Sequence, residues 1–537
     1  MKSLSSSNVV PSFESFKTLA RKYNRVPVCL AFQSDLETPL SAYLKLAKGD
    51  NGFLLESVEK NEQVARYSIV GFSPSALFKA KDGLLTHTNG GPKKNVKAAN
   101  PLQVIKDQVS SIRQAPLEGG GSGFLGGLVG FIGYDAVRYF EKLPSQKPDV
   151  LNLPDLYLMM TDQLALFDHL KRTLRLVVNV VLGEKTDVKK AYDQAVRRLL
   201  ELSAQLGKPL KRVAEMPVLA AEKTGPNDLF GFKANMTPEA FKGMVDKSKE
   251  YIKAGDIIQV VGSQRFEKEI SADPVSIYRV LRRLNPSPYM FILKMEGMSL
   301  VGSSPEMMIK VQNGVVETRP IAGSRPRGRT PEEDLGHEQN LLADEKELAE
   351  HVMLVDLARN DLGRVCDFGT VKVDHFKRVE RYSHIMHIVS DVTGKLQKDK
   401  TAYDAFQSCF PAGTLSGAPK IRAMEIIEEL ESSRRGIYGG AVVAFGFDGN
   451  MDSAITIRSV VLKDGKAYVQ AGAGLVADSV PESEYLESCN KARAVLMAIH
   501  QAESVKSKKG EKAKSKKPFA RKRPNTKKRG SRKGVRS

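Results

Sequence analysis

The grouping of strand-like and helix-like segments along the chain is the feature that most constrains its fold. Short apolar segments separated by turn residues come in runs, as in residues 256–320 and 434–477, and longer helical patterns stand between these runs. A doubly wound parallel sheet would instead alternate single strands with single helices. The grouping therefore predicts an α+β fold.

The composition places the chain among ordinary globular proteins. Its 537 residues are 41% hydrophobic and 27% charged, which is enough for several domains with sizeable cores. No apolar run approaches the ~18 residues of a membrane span, and the N-terminus lacks the apolar segment of a signal peptide. We therefore expect a cytoplasmic protein without membrane contact. The four cysteines are far apart and show no metal-binding spacing.

The positive charge is concentrated in one segment. Residues 504–537 hold 16 Lys or Arg and one Glu, which accounts for most of the net charge of +20. Such a composition cannot build a core, so we predict a disordered tail. The tail could bind RNA, DNA or another polyanion through its charge, or it could be a solvated appendage with incidental affinity.

The remaining chain divides, by its patterns, into four parts. We predict a flexible N-terminus at 1–20, an N-terminal domain at 21–206, a linker at 207–234 where periodicity is lost, and a second domain at 235–503. The first domain ends in an amphipathic helix at 187–206, and 156–180 should form two strands joined as a hairpin. Thr237 and Pro238 are typical of a helix start.

Two pairs of glutamates are candidates for a metal site. Glu347 and Glu350 are three residues apart on one predicted helix, and Glu484 and Glu487 are three apart on another. This spacing puts both carboxylates of a pair on one face, where two facing pairs could hold Mg2+. Taken alone, each pair is more often a solvated helix face.

Other segments favour anion binding. Residues 319–328 read "RPIAGSRPRG", which predicts a shaped loop bearing arginines. The segment "YVQAGAG" ends in two glycines, Gly472 and Gly474, whose backbone amides could approach a carboxylate; a tight turn is the simpler reading. Arg458 stands in an apolar segment and needs either a carboxylate ligand or a structural Asp or Glu.

Two residues are candidates for proton transfer. Glu306 follows a turn, and His387 lies in "YSHIMHIVS", although a lone histidine on a strand is more often a core residue. Together with the acids, the glycines and Arg458, they indicate a Mg2+-assisted site for a small polycarboxylate. The residues alone do not name that substrate.

Several long motifs, in order, carry a resemblance to a known family. The segments "RPIAGSRPRG", "YSHIMHIVS", "FPAGTLSGAPKIRAMEII", "GIYGGAV", "AITIRS" and "QAGAGLVADSVPESEYLES" resemble the chorismate-utilising enzymes, in particular the aminating large subunits that form anthranilate. The resemblance is strong over residues 235–500 and looser before them. It implies large antiparallel sheets flanked by helices, and chorismate as the substrate.

The resemblance also implies roles for single residues. Glu350 and Glu487 would hold Mg2+, supported by Glu347 and Glu484. Glu306 would act as general acid, and His387 would assist the later loss of pyruvate. The implied substrate-binding residues are Gly323, Ser324 and Thr414 around the ring carboxylate, with Thr414 also placed at the catalytic centre, and Tyr438, Arg458, Gly472, Ala473 and Gly474 around the enolpyruvyl side chain.

Two positions discriminate among relatives of this kind. Isochorismate and salicylate synthases carry a lysine base where this chain has Gln259, and aminodeoxychorismate synthases often carry a nucleophilic lysine where it has Ala322. The resemblance thus implies that ammonia itself adds at C2 to give anthranilate. Aminodeoxychorismate synthase component I is the alternative, and a nucleic-acid-binding protein acting through the basic tail is an alternative of another class.

The first half is expected to be regulatory. The segments "LLES" and "NPSPYMF" resemble a tryptophan-feedback pocket, whose residues here would be Glu56, Ser57, Pro288, Met290 and Phe291; otherwise these segments only pack the domains together. The chain shows no glutaminase motif. We therefore expect a separate glutaminase subunit to supply the ammonia.

Overall fold

The computed structural model describes residues 8–57, 66–117, 123–144, 147–210, 228–382 and 385–514. The strands in these ranges are β1 (Val9–Val10), β2 (Arg25–Gln33), β3 (Gly52–Glu56), β4 (Tyr67–Phe72), β5 (Ala76–Lys81), β6 (Leu84–Thr88), β7 (Lys94–Lys97), β8 (Gly127–Ile132), β9 (Leu156–Thr161), β10 (Gln163–Asp168), β11 (Thr173–Val181), β12 (Lys233–Ala234), β13 (Gln259–Glu269), β14 (Tyr289–Met295), β15 (Met298–Ser304), β16 (Met307–Gln312), β17 (Val315–Thr318), β18 (Ile321–Pro326), β19 (Lys372–Arg381), β20 (Ile385–Lys395), β21 (Gly417–Ala418), β22 (Ala441–Gly446), β23 (Met451–Ile455), β24 (Ser459–Lys463) and β25 (Lys466–Leu475).

The helices flank these strands. They are α1 (Phe13–Leu19), α2 (Pro39–Leu46), α3 (Pro101–Val109), α4 (Val188–Leu206), α5 (Pro238–Lys253), α6 (Pro274–Leu284), α7 (Pro331–Ala343), α8 (Glu345–Gly363), α9 (Ala402–Cys409), α10 (Lys420–Leu430) and α11 (Pro481–Lys514), with short 3-10 helices at Tyr134–Tyr139 and Gly413–Leu415. In the part of the chain that the structure describes, no helix combines the length and hydropathy needed to span a membrane.

Two large sheets form the framework. The first has the order β1-β2-β11-β10-β4-β3-β14-β15-β24-β25-β13-β12, with β21 beside β13, and the second has the order β18-β20-β17-β16-β23-β22-β8-β9-β5-β6-β7, with β19 beside β20. Neighbouring strands run antiparallel at the junctions that matter most here, β3 with β14 and β8 with β22. The predicted α+β fold with large antiparallel sheets is confirmed.

Both sheets are shared by the two halves of the chain. In the first sheet β3 pairs with β14, and in the second β8 pairs with β22, so each sheet continues from the first half into the second. The predicted boundary at 207–234 therefore does not separate two sheets. Single strands could be predicted from local sequence patterns, but no local pattern indicates which strands pair across the two halves of the chain.

The N-terminus departs from its prediction. Residues 8–20 are not a flexible lead, because Val9 pairs with Leu30 and the α1 residue Phe16 is fully buried against the first sheet. The serines around this segment suggested a solvated stretch, yet Ser12 caps α1. At the other end, α11 continues through Lys514, past the predicted tail boundary at 504. Residues 515–537 lie outside the described residues.

The start of α5 agrees with its prediction, because Thr237 caps the helix and Pro238 lies in its first turn. The amphipathic helix predicted at 187–206 is α4, which Asp187 caps. The predicted hairpin in 156–180 is confirmed, because β10 and β11 pair antiparallel across residues 169–172. The segment holds three strands and not two, however, since β9 ends in the second sheet and β10 begins in the first after the single residue Asp162. Both strands are apolar, so no turn composition marks the crossing. Asp162 itself is held by an ion pair with Arg25.

Candidate active site

Glutamates on two helices lie close enough for their charges to interact. Glu347 and Glu350 lie on α8, and Glu484 and Glu487 lie on α11. Burial raises the pKa of Glu350, and the neighbouring charges of Glu347 and Glu487 raise it further. Burial likewise raises the pKa of Glu484, with a further contribution from Glu487. Such mutual repulsion is what a divalent cation relieves.

The acids do not by themselves form a complete ligand set. Within the described residues, no group of three or more His, Cys, Asp or Glu side chains converges at metal-binding distance. Mg2+ favours a few carboxylates together with waters and substrate oxygens, so two facing glutamates suit it better than a closed protein cage would. The donor chemistry therefore fits Mg2+ with part of its coordination left for substrate.

Lys491 lies among these acids and was missed by the sequence reasoning. Its Nζ is 2.6 Å from Oε1 of Glu487, one turn earlier on α11. Its charge partly offsets the rise in the pKa values of Glu306, Glu350 and Glu484, so it is close to both the acid pairs and Glu306. The spacing of four from Glu487 could have indicated a shared helix face.

Glu306 has the properties of a proton donor. The Thr414 hydroxyl donates a hydrogen bond of 2.8 Å to its Oε1. Burial raises the pKa of Glu306 to about 7, against a smaller opposing effect of the Thr414 hydrogen bond. The structure thus brings together two residues predicted from separate motifs. A carboxyl group that is partly protonated near neutral pH is suited to general acid catalysis.

The glycines of "QAGAG" lie in β25 and not in a turn. Gly472 pairs with Ser263, and Gly474 pairs with Val261, on β13. A Cβ atom at Gly472 would lie 2.3 Å from the carbonyl oxygen of Gly262, so glycine is required for this close approach of two strands. A Cβ atom at Gly474 would lie 2.7 Å from Nε2 of Gln259, the mobile end of a side chain. Ala473, between them, is fully buried.

Gln259 connects this strand with the acids. Its Nε2 donates to Oε1 of Glu350 over 3.3 Å, while its own Oε1 is buried without a hydrogen-bond partner among the described residues. An unpaired buried acceptor costs stability unless a ligand supplies a donor. Gln259 is therefore placed to bind a hydroxyl or N–H group of a substrate.

The "RPIAGSRPRG" segment is a strand, not the predicted loop. Residues 321–326 form β18 beside β20, with an irregularity at Gly323, whose φ of 66° is in the left-handed region. This bulge explains how a segment rich in proline and glycine remains in a sheet. Ala322 is 7% exposed, and a Cβ at Gly323 would lie 3.1 Å from Oε2 of Glu347.

The arginines of this segment bind protein carboxylates. Arg325 contacts Asp344 at 2.7 Å and Glu347 at 3.2 Å, which joins β18 to the start of α8. Arg327 pairs with Asp334, and Arg319 pairs with Asp391 and Glu380. These ion pairs position the strand, so the three arginines are already occupied by protein carboxylates.

His387 lies beside the bulge on β20. Its Nδ1 is 2.8 Å from the carbonyl oxygen of Gly323, and Ser324 is its register partner. Burial lowers the pKa of His387, so the ring is neutral at neutral pH. Because a carbonyl can only accept, Nδ1 carries the hydrogen and Nε2 is the basic nitrogen.

Arg458 has the environment of an anion-binding residue. It lies between β23 and β24 with a φ of 51°, a strained conformation for a non-glycine residue. Burial lowers the pKa of Arg458, and its Nη1 donates to the carbonyl oxygen of Lys491 over 2.8 Å. Among the described residues no carboxylate forms an ion pair with it, which favours a ligand carboxylate over a structural partner. The buried Tyr438 is near enough for its pKa to respond to Arg458.

The predicted regulatory residues are divided between two faces of the first sheet. Glu56 pairs with Met290 across β3 and β14, and it is buried against Tyr278 and Arg282. The Ser57 hydroxyl is buried and has no hydrogen-bond partner among the described residues. Pro288, two residues before Met290, is also buried. Phe291 packs in a different core cluster from Met290, because adjacent strand residues point to opposite faces.

Comparison with known proteins agrees with this geometry. The sequence signature described as chorismate binding enzyme matches residues 50–497. The chain belongs to this family of chorismate-binding enzymes. The resemblance inferred from its motifs is thus confirmed.

Individual members of the chorismate-binding family are similar over most of the chain. Anthranilate synthase component 1 of Acetivibrio thermocellus is 48% identical over 497 residues, covering 92% of this chain and 99% of the relative. The protein of the same name from Mycolicibacterium smegmatis is 47% identical, covering 92% of this chain and 94% of the relative.

Solved structures of the family show the same fold. The crystal structure of anthranilate synthase component I from Streptococcus pneumoniae matches with a TM-score of 0.70 at 35% identity, covering 87% of this chain and 99% of that one. The menaquinone-specific isochorismate synthase from Escherichia coli matches with a TM-score of 0.64 at 16% identity, covering 91% and 98%. The second match supports the fold alone.

Proposed function

We propose that this chain is the large subunit of an anthranilate synthase, which adds ammonia at C2 of chorismate and then eliminates pyruvate. The observation that carries the proposal is the 48% identity to an anthranilate synthase component 1 along 99% of that relative's length. The geometry of Glu306, Gln259 and Ala322 agrees with that chemistry.

Substrate binding would use both carboxylates of chorismate. Arg458, which has no ion-pair partner in the described structure, would bind the enolpyruvyl carboxylate together with backbone amides near Gly472 and Gly474, beside Tyr438. The ring carboxylate would lie near Gly323, Ser324 and Thr414. Glu350 and Glu487 would hold Mg2+ with Glu347 and Glu484 nearby; the ion, when bound, would neutralise the ring carboxylate and stabilise developing charge.

Glu306 would act as the general acid at the first step. In its protonated form it gives its proton to the departing 4-hydroxyl group while ammonia attacks C2, and the Thr414 hydroxyl fixes its orientation. A buried carboxyl group with a pKa of about 7 is partly protonated at neutral pH, so a share of the molecules carries that proton. This role would account for the burial of an acid that forms no ion pair with the described residues.

His387 would serve the second step. Its neutral ring is fixed by the Nδ1 hydrogen bond to Gly323, so Nε2 can receive a proton as pyruvate leaves. Strand β18 would thus fix the orientation of the His387 ring and would not supply a charge to it.

The identity of the product would follow from Gln259 and Ala322. A glutamine amide is not a base, so Gln259 does not activate water, and the alanine side chain cannot attack C2. Aminodeoxychorismate synthase component I is the second candidate, and the absence of an amine at position 322 argues against its covalent route.

Two further parts of the proposal concern regulation and supply. Tryptophan would inhibit by binding near Glu56, Ser57 and Met290, where a buried hydroxyl has no partner among the described residues. A separate glutaminase subunit would supply ammonia in the cell. The basic tail beyond residue 514 would at most add affinity for polyanions.

One assay tests the central proposal. Purified protein is incubated with chorismate, Mg2+ and ammonium chloride, and anthranilate fluorescence is followed with and without each component. We expect anthranilate to appear only when all three are present. Formation of aminodeoxychorismate, or of isochorismate from water, would reject the proposal.

A further inference from the structure

A buried ion pair lies behind the substrate-binding residues. The side chains of Arg435 and Glu431 are 1% and 4% exposed, and Nη2 of the arginine is 2.6 Å from Oε1 of the glutamate. Removing two charges from water is costly and is offset only when their geometry and remaining hydrogen bonds are very good. A pair of hydrophobic residues would often serve stability as well, so this pair calls for another explanation.

The guanidinium also binds two backbone segments of the site, the 3-10 helix at Gly413–Leu415 and strand β13. Its Nη1 donates to the carbonyl oxygen of Leu415, and its Nη2 donates to that of Val261, both over 2.6 Å. Leu415 follows Thr414, the hydrogen-bond partner of Glu306. Val261 is two residues beyond Gln259 and is the register partner of Gly474.

The carboxylate of the pair binds a third position. Glu431 accepts hydrogen bonds from the backbone N–H and the hydroxyl of Ser263, over 2.9 and 2.7 Å. Ser263 is the register partner of Gly472, and its hydroxyl also accepts from Gln470 on β25 over 2.8 Å. The ion pair is therefore connected to β25, which carries Gly472 and Gly474, and to the neighbouring strand β13.

Aromatic rings complete the environment of Arg435. The guanidinium carbon lies 4.7 Å from the ring centroid of Tyr134 and 5.7 Å from that of Tyr438. Tyr438 is one of the residues proposed to hold the enolpyruvyl group. One side chain thus contacts, or binds next to, the segments that carry Thr414, Gln259, Gly474 and Tyr438.

We propose that Arg435, held by Glu431, is a positioning residue that sets the shape of the chorismate site without touching the substrate. Its planar set of donors fixes two backbone carbonyls and one aromatic ring at the same time, which lysine cannot do. The expected change in chorismate affinity depends only on the chain binding chorismate, as its family does. The expected change in turnover rests on the proposed function.

The test uses a double variant, Arg435→Met with Glu431→Gln. This change leaves no unpaired buried charge, and glutamine keeps an acceptor for Ser263. We expect a melting temperature close to that of the wild type, a roughly tenfold higher Kd for chorismate by calorimetry, and a KM for chorismate that rises more than kcat falls. The KM for ammonium should not change.

A conservative variant and a matched control complete the experiment. Arg435→Lys keeps the charge next to Glu431 but loses the paired carbonyl contacts, so its chorismate affinity should lie between those of the wild type and the double variant. If the double variant does not fold, this lysine variant carries the test. The control is Arg25→Met with Asp162→Asn, which removes a similarly buried pair of 3.0 Å, with side chains 7% and 10% exposed, whose partners are not site residues.

The outcomes are distinct. Chorismate affinity within twofold of the wild type in the Arg435 variants, or an equal loss in the Arg25 control, would overturn the proposal. A wild-type protein that binds chorismate but forms no anthranilate would reject the proposed function, while the affinity comparison would still decide the role of Arg435.

Discussion

The Thr414 hydroxyl donates a 2.8 Å hydrogen bond to Glu306, a carboxyl group whose pKa burial raises to about 7. The bond orients the acid, while the surrounding protein keeps it partly protonated at neutral pH. Orientation and protonation state are therefore supplied by different features of the structure, which makes them separable by mutation.

Replacing Glu306 with glutamine should remove the proton donor while keeping the hydrogen bond from Thr414. We expect kcat for anthranilate formation with ammonium to fall by about 10²–10⁴-fold, the usual contribution of a general acid. In the wild type, kcat/KM for chorismate, measured at constant free ammonia, should fall as pH rises above about 7. Thr414→Ser is the control, and a glutamine variant with the wild-type pH profile would contradict the assignment.

The same substitution should affect stability in a pH-dependent way. Since the folded-state pKa of Glu306 is raised from 4.5 to about 7, its favourable contribution is present at low pH and is lost as pH rises through about 7. The variant should therefore be more stable than the wild type at pH 8.5, by on the order of 2 kcal/mol, with a smaller difference at pH 5. Urea unfolding at both pH values measures this, and a constant difference would count against a buried ionising group.

Changing Glu350 to glutamine should weaken the binding of Mg2+. The change removes one carboxylate ligand, and it also removes the repulsion from Glu347 that a bound cation would otherwise relieve. We therefore expect the apparent Kd for Mg2+, measured by calorimetry and by activity, to be at least roughly tenfold higher. Glu345→Gln, at an exposed position on the same helix, is the matched control. Equal affinity in both variants would place the cation elsewhere.

The change Ala322→Lys places an amine at a position that is 7% exposed in β18. If this position faces the ring, anthranilate formation should stop, and a covalent adduct between lysine and the chorismate ring should be detectable by intact-protein mass spectrometry. Ser324→Thr, two residues along the strand, should retain activity. Unchanged rate and product in the lysine variant would show that residue 322 does not face the substrate.

The change Ser57→Phe should fill the space beside Glu56 and Met290. We expect the concentration of tryptophan for half-inhibition to rise at least about tenfold, while activity without tryptophan changes little. Ser110→Phe, at an exposed position after α3, is the control. Inhibition as strong as in the wild type would place the regulatory site elsewhere.

Prediction from the sequence was most successful where a local rule applied. The spacing of Glu347 and Glu350 predicts their shared helix face, Thr237 and Pro238 mark the start of α5, and apolar periodicity predicts α4. Lys491 was missed because a lysine after acidic residues on a helix is usually solvent-exposed. Only the packing of α11 shows that this one lies among the acids.

Non-local features could not be read in this way. Nothing in β3 or β14 alone indicates that they pair. The resemblance of "NPSPYMF" to a regulatory segment names Met290 and Phe291 together, but only the strand shows that they point to opposite faces. The residue type of Arg319, Arg325 and Arg327 suits anion binding, and only their distances to protein carboxylates show that they are already paired.

The continuity of both sheets across the two halves has a consequence for how this chain can be divided. A fragment ending at residue 210 would expose the edges of β3 and β8, and the complementary fragment would expose β14 and β22. Such open edges favour aggregation, or reassembly when both fragments are present. Each half of the chain is therefore a template on which the other completes its sheets.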